Sequence, residues 1–261
     1  MANSNSSKGG GKVGKDYIPG MYKKERPTVY ETVEKAFQEW EKSREIRAKQ
    51  TNKNFPIVCF SRKIGVGALE IADIIGKKIG YAVIDREILE HLSGRSQLDD
   101  KLSAFVNERC PGEMEDIFAM FFGVKAFTQS EYSRLLFRTI FSFAEIGPSI
   151  FVGRGAHLIL PRDRVLSVRL ICSNEYRVKR LADNLNISTT AAKLKLNHFD
   201  VEQKNFFRRI YNLKKASPYE FDMVINRDYI QDAQQAAEII ITALIQKFGM
   251  VNLGANPTLQ I

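Results

Sequence analysis

Apolar positions along this chain fall into short blocks separated by longer segments of helical period. Phe55-Pro-Ile-Val-Cys-Phe60 is a strand-length apolar run that leads into a glycine-containing turn. A helix-period segment follows from Ala68 to about Ile79, with Gly80 placed to end it. Further strand-length runs come at Tyr81–Ile84, Ser149–Val152, Val165–Ile171 and Met223–Ile225. Residues 86–146 read as mostly helical, with a break at Cys110-Pro-Gly112. A basic helix containing Arg177, Lys179 and Arg180 follows the fourth run, and a long polar and basic helical stretch covers about 188–215. The last helix spans Asp232 to Phe248 and stops at Gly249. Continuous apolar strands alternating with helices predict an α/β fold, a five-stranded parallel sheet covered on both faces. In such sheets ligands bind beyond the carboxyl ends of the strands. Ser61, Asp85, Arg154 and the segment from Cys172 to Arg180 all follow strand ends, so they are expected to converge.

The ends of the chain differ in composition from this body. Residues 1–27 are rich in Ser, Gly, Lys and Asn and read as a flexible arm. Between Thr28 and Arg47, Val29, Val33, Phe37 and Trp40 recur at helical spacing, so 28–50 reads as an amphipathic helical extension. Its apolar face would dock on the body of the chain, on a second copy, or on a protein partner. The folded domain is expected over 51–249, with a tail at 250–261. Phe118, Met120, Phe121, Phe122, Phe127, Phe137, Phe141 and Phe143 form an aromatic stripe read as core or subunit interface. No run approaches the ~18 apolar residues of a membrane span, and no apolar run follows the N-terminal lysines, so the expected location is cytoplasmic.

Charge and titratable groups narrow the chemistry. The net charge of +9 favours an anionic partner, and the excess is spread along the chain. Nucleic acid would suit that charge, but no reader motif supports it. Cys59, Cys110 and Cys172 are far apart and form no CxxC pair, which argues against zinc and disulfides. His91, His157 and His198 are scattered and carry no metal or hydrolase signature, so no metal ligands are assigned.

Two segments look like phosphate loops. Gly9-Gly-Gly-Lys-Val-Gly14-Lys15 matches the letters, but no strand precedes it and Tyr17-Ile-Pro19 does not open a helix. Ser61-Arg-Lys-Ile-Gly65-Val-Gly67-Ala-Leu-Glu70 has the right context, a strand before it and a helix after it. The usual lysine and Ser/Thr are replaced by Ala68 and Leu69.

Beyond the loop, an ordered set of segments carries a wider resemblance. It comprises Glu70-Ile-Ala72, Ile84-Asp-Arg-Glu-Ile88, Val152-Gly-Arg-Gly-Ala156, Val168-Arg-Leu170, Arg177 with Arg180, Asp200 with Arg208-Arg209, and Phe221-Asp-Met-Val-Ile-Asn226. Together with the loop, this set resembles the cytidylate-kinase-like branch of the P-loop nucleoside-monophosphate kinases, from about Phe55 to Phe248. The resemblance implies a three-layer P-loop kinase-like fold with a helical acceptor-side insertion at 86–146 and a lid at about 174–215. It implies ATP and Mg²⁺ as cofactors and a nucleoside monophosphate, cytidine monophosphate in the family, as acceptor. Ser61, Gly65, Val66, Gly67, Ala68 and Leu69 would cradle the donor phosphates, with Arg177 and Arg180 leading into the lid. Asp85, Arg86 and Arg154 would bind the acceptor, and Arg62, Lys63, Arg154 and Arg208 would carry the charge compensation of catalysis. Val66, Leu69 and Gln203 depart from the family pattern, the last replacing a lid arginine. Two readings therefore stand: a phosphotransferase, or a catalytically degenerate nucleotide-binding sensor or interaction module. Asp85 as a helix cap and Arg208-Arg209 as a solvated helix face remain open alternatives.

Overall fold

The structure is a computed structural model, and it describes residues 55–92 and 131–249. The N-terminal arm, the Thr28–Arg47 helix, the Gly9–Lys15 segment, the Cys110-Pro-Gly112 break, Phe118 to Phe127 and the tail lie outside the described residues.

The apolar runs form β1 (Ile57–Arg62), β2 (Ala82–Asp85), β3 (Ser149–Val152), β4 (Val165–Ile171) and β5 (Met223–Asn226). They pair in the order β2-β3-β1-β4-β5, and every pairing is parallel. All six residues of β1 are buried, as a central strand covered on both faces requires. Side chains alternate across the sheet. Ile57 and Cys59 enter one apolar cluster, and Val58 and Phe60 the other.

Six helices are described: α1 (Ala68–Ile79), α2 (Arg86–Leu92), α3 (Glu131–Ile146), α4 (Asn174–Leu185), α5 (Thr189–Tyr211) and α6 (Ala233–Phe248). The cluster around Val58 takes its apolar residues from α1 and α6, and the cluster around Ile57 takes them from α3 and the end of α5. Phe137, Phe141 and Phe143 of the aromatic stripe are core residues. Polar side chains start the later helices: Ser173, Ser188 and Asp232 accept from the N–H of Tyr176, Ala191 and Gln234. None of the described helices is long and apolar enough to cross a membrane.

β2 and β5 differ from the sequence reading by a single residue, and the larger differences fall at β1 and α5. β1 runs two residues past Phe60, because its pairing with β4 continues from Phe60–Val168 to Arg62–Leu170. α5 ends at Tyr211 rather than near Lys215, because Asn212 turns left-handed at φ 54° and its N–H bonds back to the Phe207 carbonyl. A third apolar cluster joins Ile64, in the loop after β1, to Leu181 and Ala182 of α4 and to Ala192 and Leu196 of α5. The helices expected as a lid therefore pack directly on the loop.

Candidate functional site

The turn from β1 into α1 has the backbone of an anion cradle. Gly67 caps α1 at φ 83°, left-handed, and brings no side-chain acceptor to its N terminus. The first amide groups of the helix thus keep their donors for a ligand. The Arg180 guanidinium lies over this point, 3.2 Å from where a Cβ on residue 67 would stand, and its Nη2 donates to Glu70 at 2.6 Å. The side chains of Val66, Ala68 and Leu69 point away from the cradle into the core, so these positions offer only backbone.

The same loop is tied down from several sides. Arg177 is 1% exposed. Its Nε donates to the Ile64 carbonyl at 2.7 Å, and its two Nη groups grip Asp200 at 2.6 and 3.0 Å. This arginine, expected at the cofactor, has its donors turned onto the protein itself, and it joins the loop to α5. Gln203 donates to the Arg62 carbonyl at 2.7 Å, Arg169 to the Ser61 hydroxyl at 2.6 Å, and Lys63 lies 3.6 Å from Asp200. The hydroxyl of Ser61 is therefore engaged by a neighbouring strand.

One strand over, the turn after β3 gathers positive charge. Arg154 is a non-glycine residue at φ 53°, a sparsely populated conformation for a long side chain. Gly155 beside it must be glycine, since a Cβ there would stand 2.7 Å from the Tyr211 ring. That close approach lets the Tyr211 hydroxyl donate to the Arg154 carbonyl at 2.6 Å and fix the turn. Arg154 lies over the Phe206 ring at 4.1 Å. Burial, with the Arg86 and Arg62 guanidiniums nearby, presses its pKa down to about 9. At neutral pH it stays charged. Arg154, Arg86 and Phe206 border a cavity of about 550 Å³ that also takes Tyr132, Glu202, Asn205 and Arg209.

The expected site residues thus separate. Arg62, Arg86 and Arg154 come together at the ends of β1, β2 and β3. Asp85 is buried and accepts from the N–H groups of Glu87 and Ile88 at 3.0 and 3.1 Å, the capping alternative. Of the lid pair, Arg209 borders the cavity and Arg208 is exposed on another face of α5. The sequence reading passed over Glu202, Asn205 and Tyr132; Glu202, Asn205, Phe206 and Arg209 share one helical face at i, i+3, i+4 and i+7, which was a readable signal.

The donor set was tested against the implied cofactors. Phosphates fit the cradle at Gly67 with Arg180 beside it. The start of α1 supplies no hydroxyl for magnesium, since Ala68 and Leu69 stand there, and the Ser61 hydroxyl accepts from Arg169. Among the described residues no group of three or more His, Cys, Asp or Glu side chains gathers.

A parallel sheet of this order, with a glycine turn from β1 into α1, defines a P-loop kinase-like α/β fold. The chain belongs to the cytidylate kinase-like family, whose model matches residues 57–229. Its structure is similar to that of an uncharacterized protein from Eubacterium ventriosum ATCC 27560, with a TM-score of 0.56 at 18% identity over 73% of this chain and 98% of that one. Lower similarity extends to shikimate kinase from Bacteroides thetaiotaomicron (TM-score 0.38, 14% identity, 74% and 97% of the two chains). Dephospho-CoA kinase from Campylobacter jejuni follows at TM-score 0.30 and 16% identity, over 72% and 96%. Comparison with curated proteins gives no match.

Proposed function

We propose that this chain binds a nucleoside triphosphate at the Gly65–Leu69 turn and transfers its terminal phosphoryl group to a nucleoside monophosphate held in the Arg154 cavity. Cytidine monophosphate is the acceptor that family membership suggests. The observation that carries this reading is the gathering of Arg62, Arg86 and the buried Arg154 at the neighbouring ends of β1, β2 and β3. Like charges concentrated at a partly closed site mark a place for an anion. When bound, the triphosphate supplies the phosphoryl group. An oxygen of the acceptor phosphate forms the new bond to phosphorus, and the bond to the leaving diphosphate breaks with its electron pair going to that diphosphate. Arg86 and Arg154 would orient the acceptor, Arg62 would face the transferred group, and Arg180 would hold the donor at the helix N terminus. Arg177 would act as a positioning residue through Ile64 and Asp200. The expected location remains the cytoplasm.

A second reading is favoured by one specific observation: Ala68 and Leu69 stand in the core where the usual phosphate loop carries its lysine and hydroxyl. On that reading the chain binds the nucleotide without turning it over and serves as a sensor or interaction module. The full-length protein with ATP, Mg²⁺ and a panel of nucleoside monophosphates, followed for ADP, separates the two. Turnover that falls about a hundredfold or more in Arg154→Ala supports the transferase. Nucleotide binding with no turnover for any acceptor supports the sensor.

A further inference from the structure

Helix α5 has a cavity on each of two faces. Glu202, Asn205, Phe206 and Arg209 border the Arg154 cavity. Asp200, Gln203, Lys204 and Phe207, the adjoining face at the same helical spacing, border a second cavity of about 330 Å³. Its remaining walls come from the ends of β1 and β4 and from the Leu213–Ala216 segment that follows α5.

The charge lining this second cavity is unbalanced. Five cationic side chains, Lys63, Arg169, Lys204, Lys214 and Lys215, face two carboxylates, Asp200 and Glu220. Each carboxylate is shared. Asp200 is gripped by Arg177 and also lies 3.6 Å from Lys63. Glu220 accepts from the Ser217 N–H at 2.7 Å and also lies 3.5 Å from His157. Among the described residues, Lys204, Lys214 and Lys215 enter no ion pair. Arg169 is the interior cation of the set, and its hydrogen-bond partner is a neutral hydroxyl, that of Ser61. This half-buried guanidinium also lies 5.7 Å from the Phe221 ring and feels the Glu220 carboxylate. Among the described residues no carboxylate hydrogen-bonds to it, so a bound anion would add a charge-assisted partner. Beside the neutral polar groups of Ser61, His157 and Gln203, the walls include Phe207, Leu213 and Ala216, which are available to a ring or short hydrocarbon.

We propose that this cavity is a second ligand site, one that takes a phosphate monoester of a planar apolar group. The phosphate meets Arg169 and the lysines of the 213–216 segment, and the apolar part lies against Phe207 and Leu213. The site is separate from the Arg154 cavity and does not depend on whether the chain catalyses phosphoryl transfer. It touches the loop ties at Lys63, Asp200 and Gln203, so an occupant would bear on the nucleotide turn through them.

The test is a calorimetric titration of the full chain with 1-naphthyl phosphate, with inorganic phosphate and 1-naphthol as reference ligands. Lys214 and Lys215 are exposed, so the double substitution Lys214→Glu/Lys215→Glu leaves the core intact, which an unchanged melting temperature verifies. The expected result is saturable binding of the aromatic phosphate, at least about tenfold tighter than either reference ligand. The lysine reversal should weaken it by at least about tenfold, while Arg154→Ala leaves it within about twofold. The proposal is overturned by no binding at millimolar concentration, by a smaller loss on lysine reversal, by equal affinity for inorganic phosphate, or by loss of binding in Arg154→Ala. The last outcome would place the probe in the acceptor cavity. None of these results depends on ADP formation, so this proposal and the transferase reading fail separately.

Discussion

The ends of β1 and β3 are neighbours in the sheet, and they present charge in opposite ways. After β1, the turn into α1 turns Val66, Ala68 and Leu69 into the core and leaves backbone amides, while Arg177, Gln203 and Arg169 bond to it from outside. After β3, a strained turn pushes a guanidinium toward a cavity already bordered by Arg86 and Arg209. The first region is rigid and short of its own side-chain charge. The second supplies charge and depends on a distant tyrosine to hold its backbone. The Gly65–Leu69 turn therefore brings backbone alone, and positive charge comes from Arg62 and Lys63 before it and from Arg86, Arg154, Arg180 and Arg209 on other elements.

That contrast can be broken first at the ties of the β1 turn. Arg177→Ala leaves Asp200 without its fork and frees the Ile64 carbonyl in a buried setting, so stability should fall by about 3–5 kcal/mol. Urea unfolding measures it, and a loss below about 1 kcal/mol would mean that the loop is held without this pair.

At the β3 turn, Gly155→Ala forces a Cβ into the Tyr211 ring at a φ of 75°, and the expected cost is about 2–3 kcal/mol. Thermal unfolding reads it. The acceptor affinity of the folded variant should fall with it, because Tyr211 no longer fixes the Arg154 carbonyl.

The smallest expected effect lies just beyond that turn, at His157. Burial pushes its pKa down to about 4, the opposing pull of Glu220 at 3.5 Å being too weak to prevent this. The folded state holds the ring neutral while the unfolded chain protonates it near its ordinary value of about 6.5. Stability is therefore lost as pH falls from about 6.5 towards the folded value, by on the order of 2 kcal/mol. His157→Gln should flatten the slope of stability against pH in that window; an unchanged slope would assign the acid sensitivity to other groups.

Much of this was legible in the order of residues. All five strands were located to within two residues at each end, and β3 and β4 to the residue, because an apolar run bounded by turns is a local signal. The glycine turn into α1 was equally plain, as were the helix ends at Gly80 and Gly249. Asp85 carried two readings at once, since an acidic residue at a strand end can face a ligand or cap the next helix, and its carboxylate does accept from the Glu87 and Ile88 amides as a cap would. For Arg177 and Arg180 the spacing gave only their common helix. One is buried against Asp200, and the other lies over Gly67.

The sequence by itself determined the elements, their caps and the parallel arrangement of the sheet, since each rests on contacts within a few residues or on the period of burial. Only the tertiary structure decided which cations meet at one point and which are consumed as struts. Helical spacing fixes a side chain's direction about its own axis, but the neighbour on that side is set by chain segments far away in sequence. Arg209 faces Arg154, Lys204 lines the other cavity and Arg208 is exposed, although all three share a single turn and a half of α5.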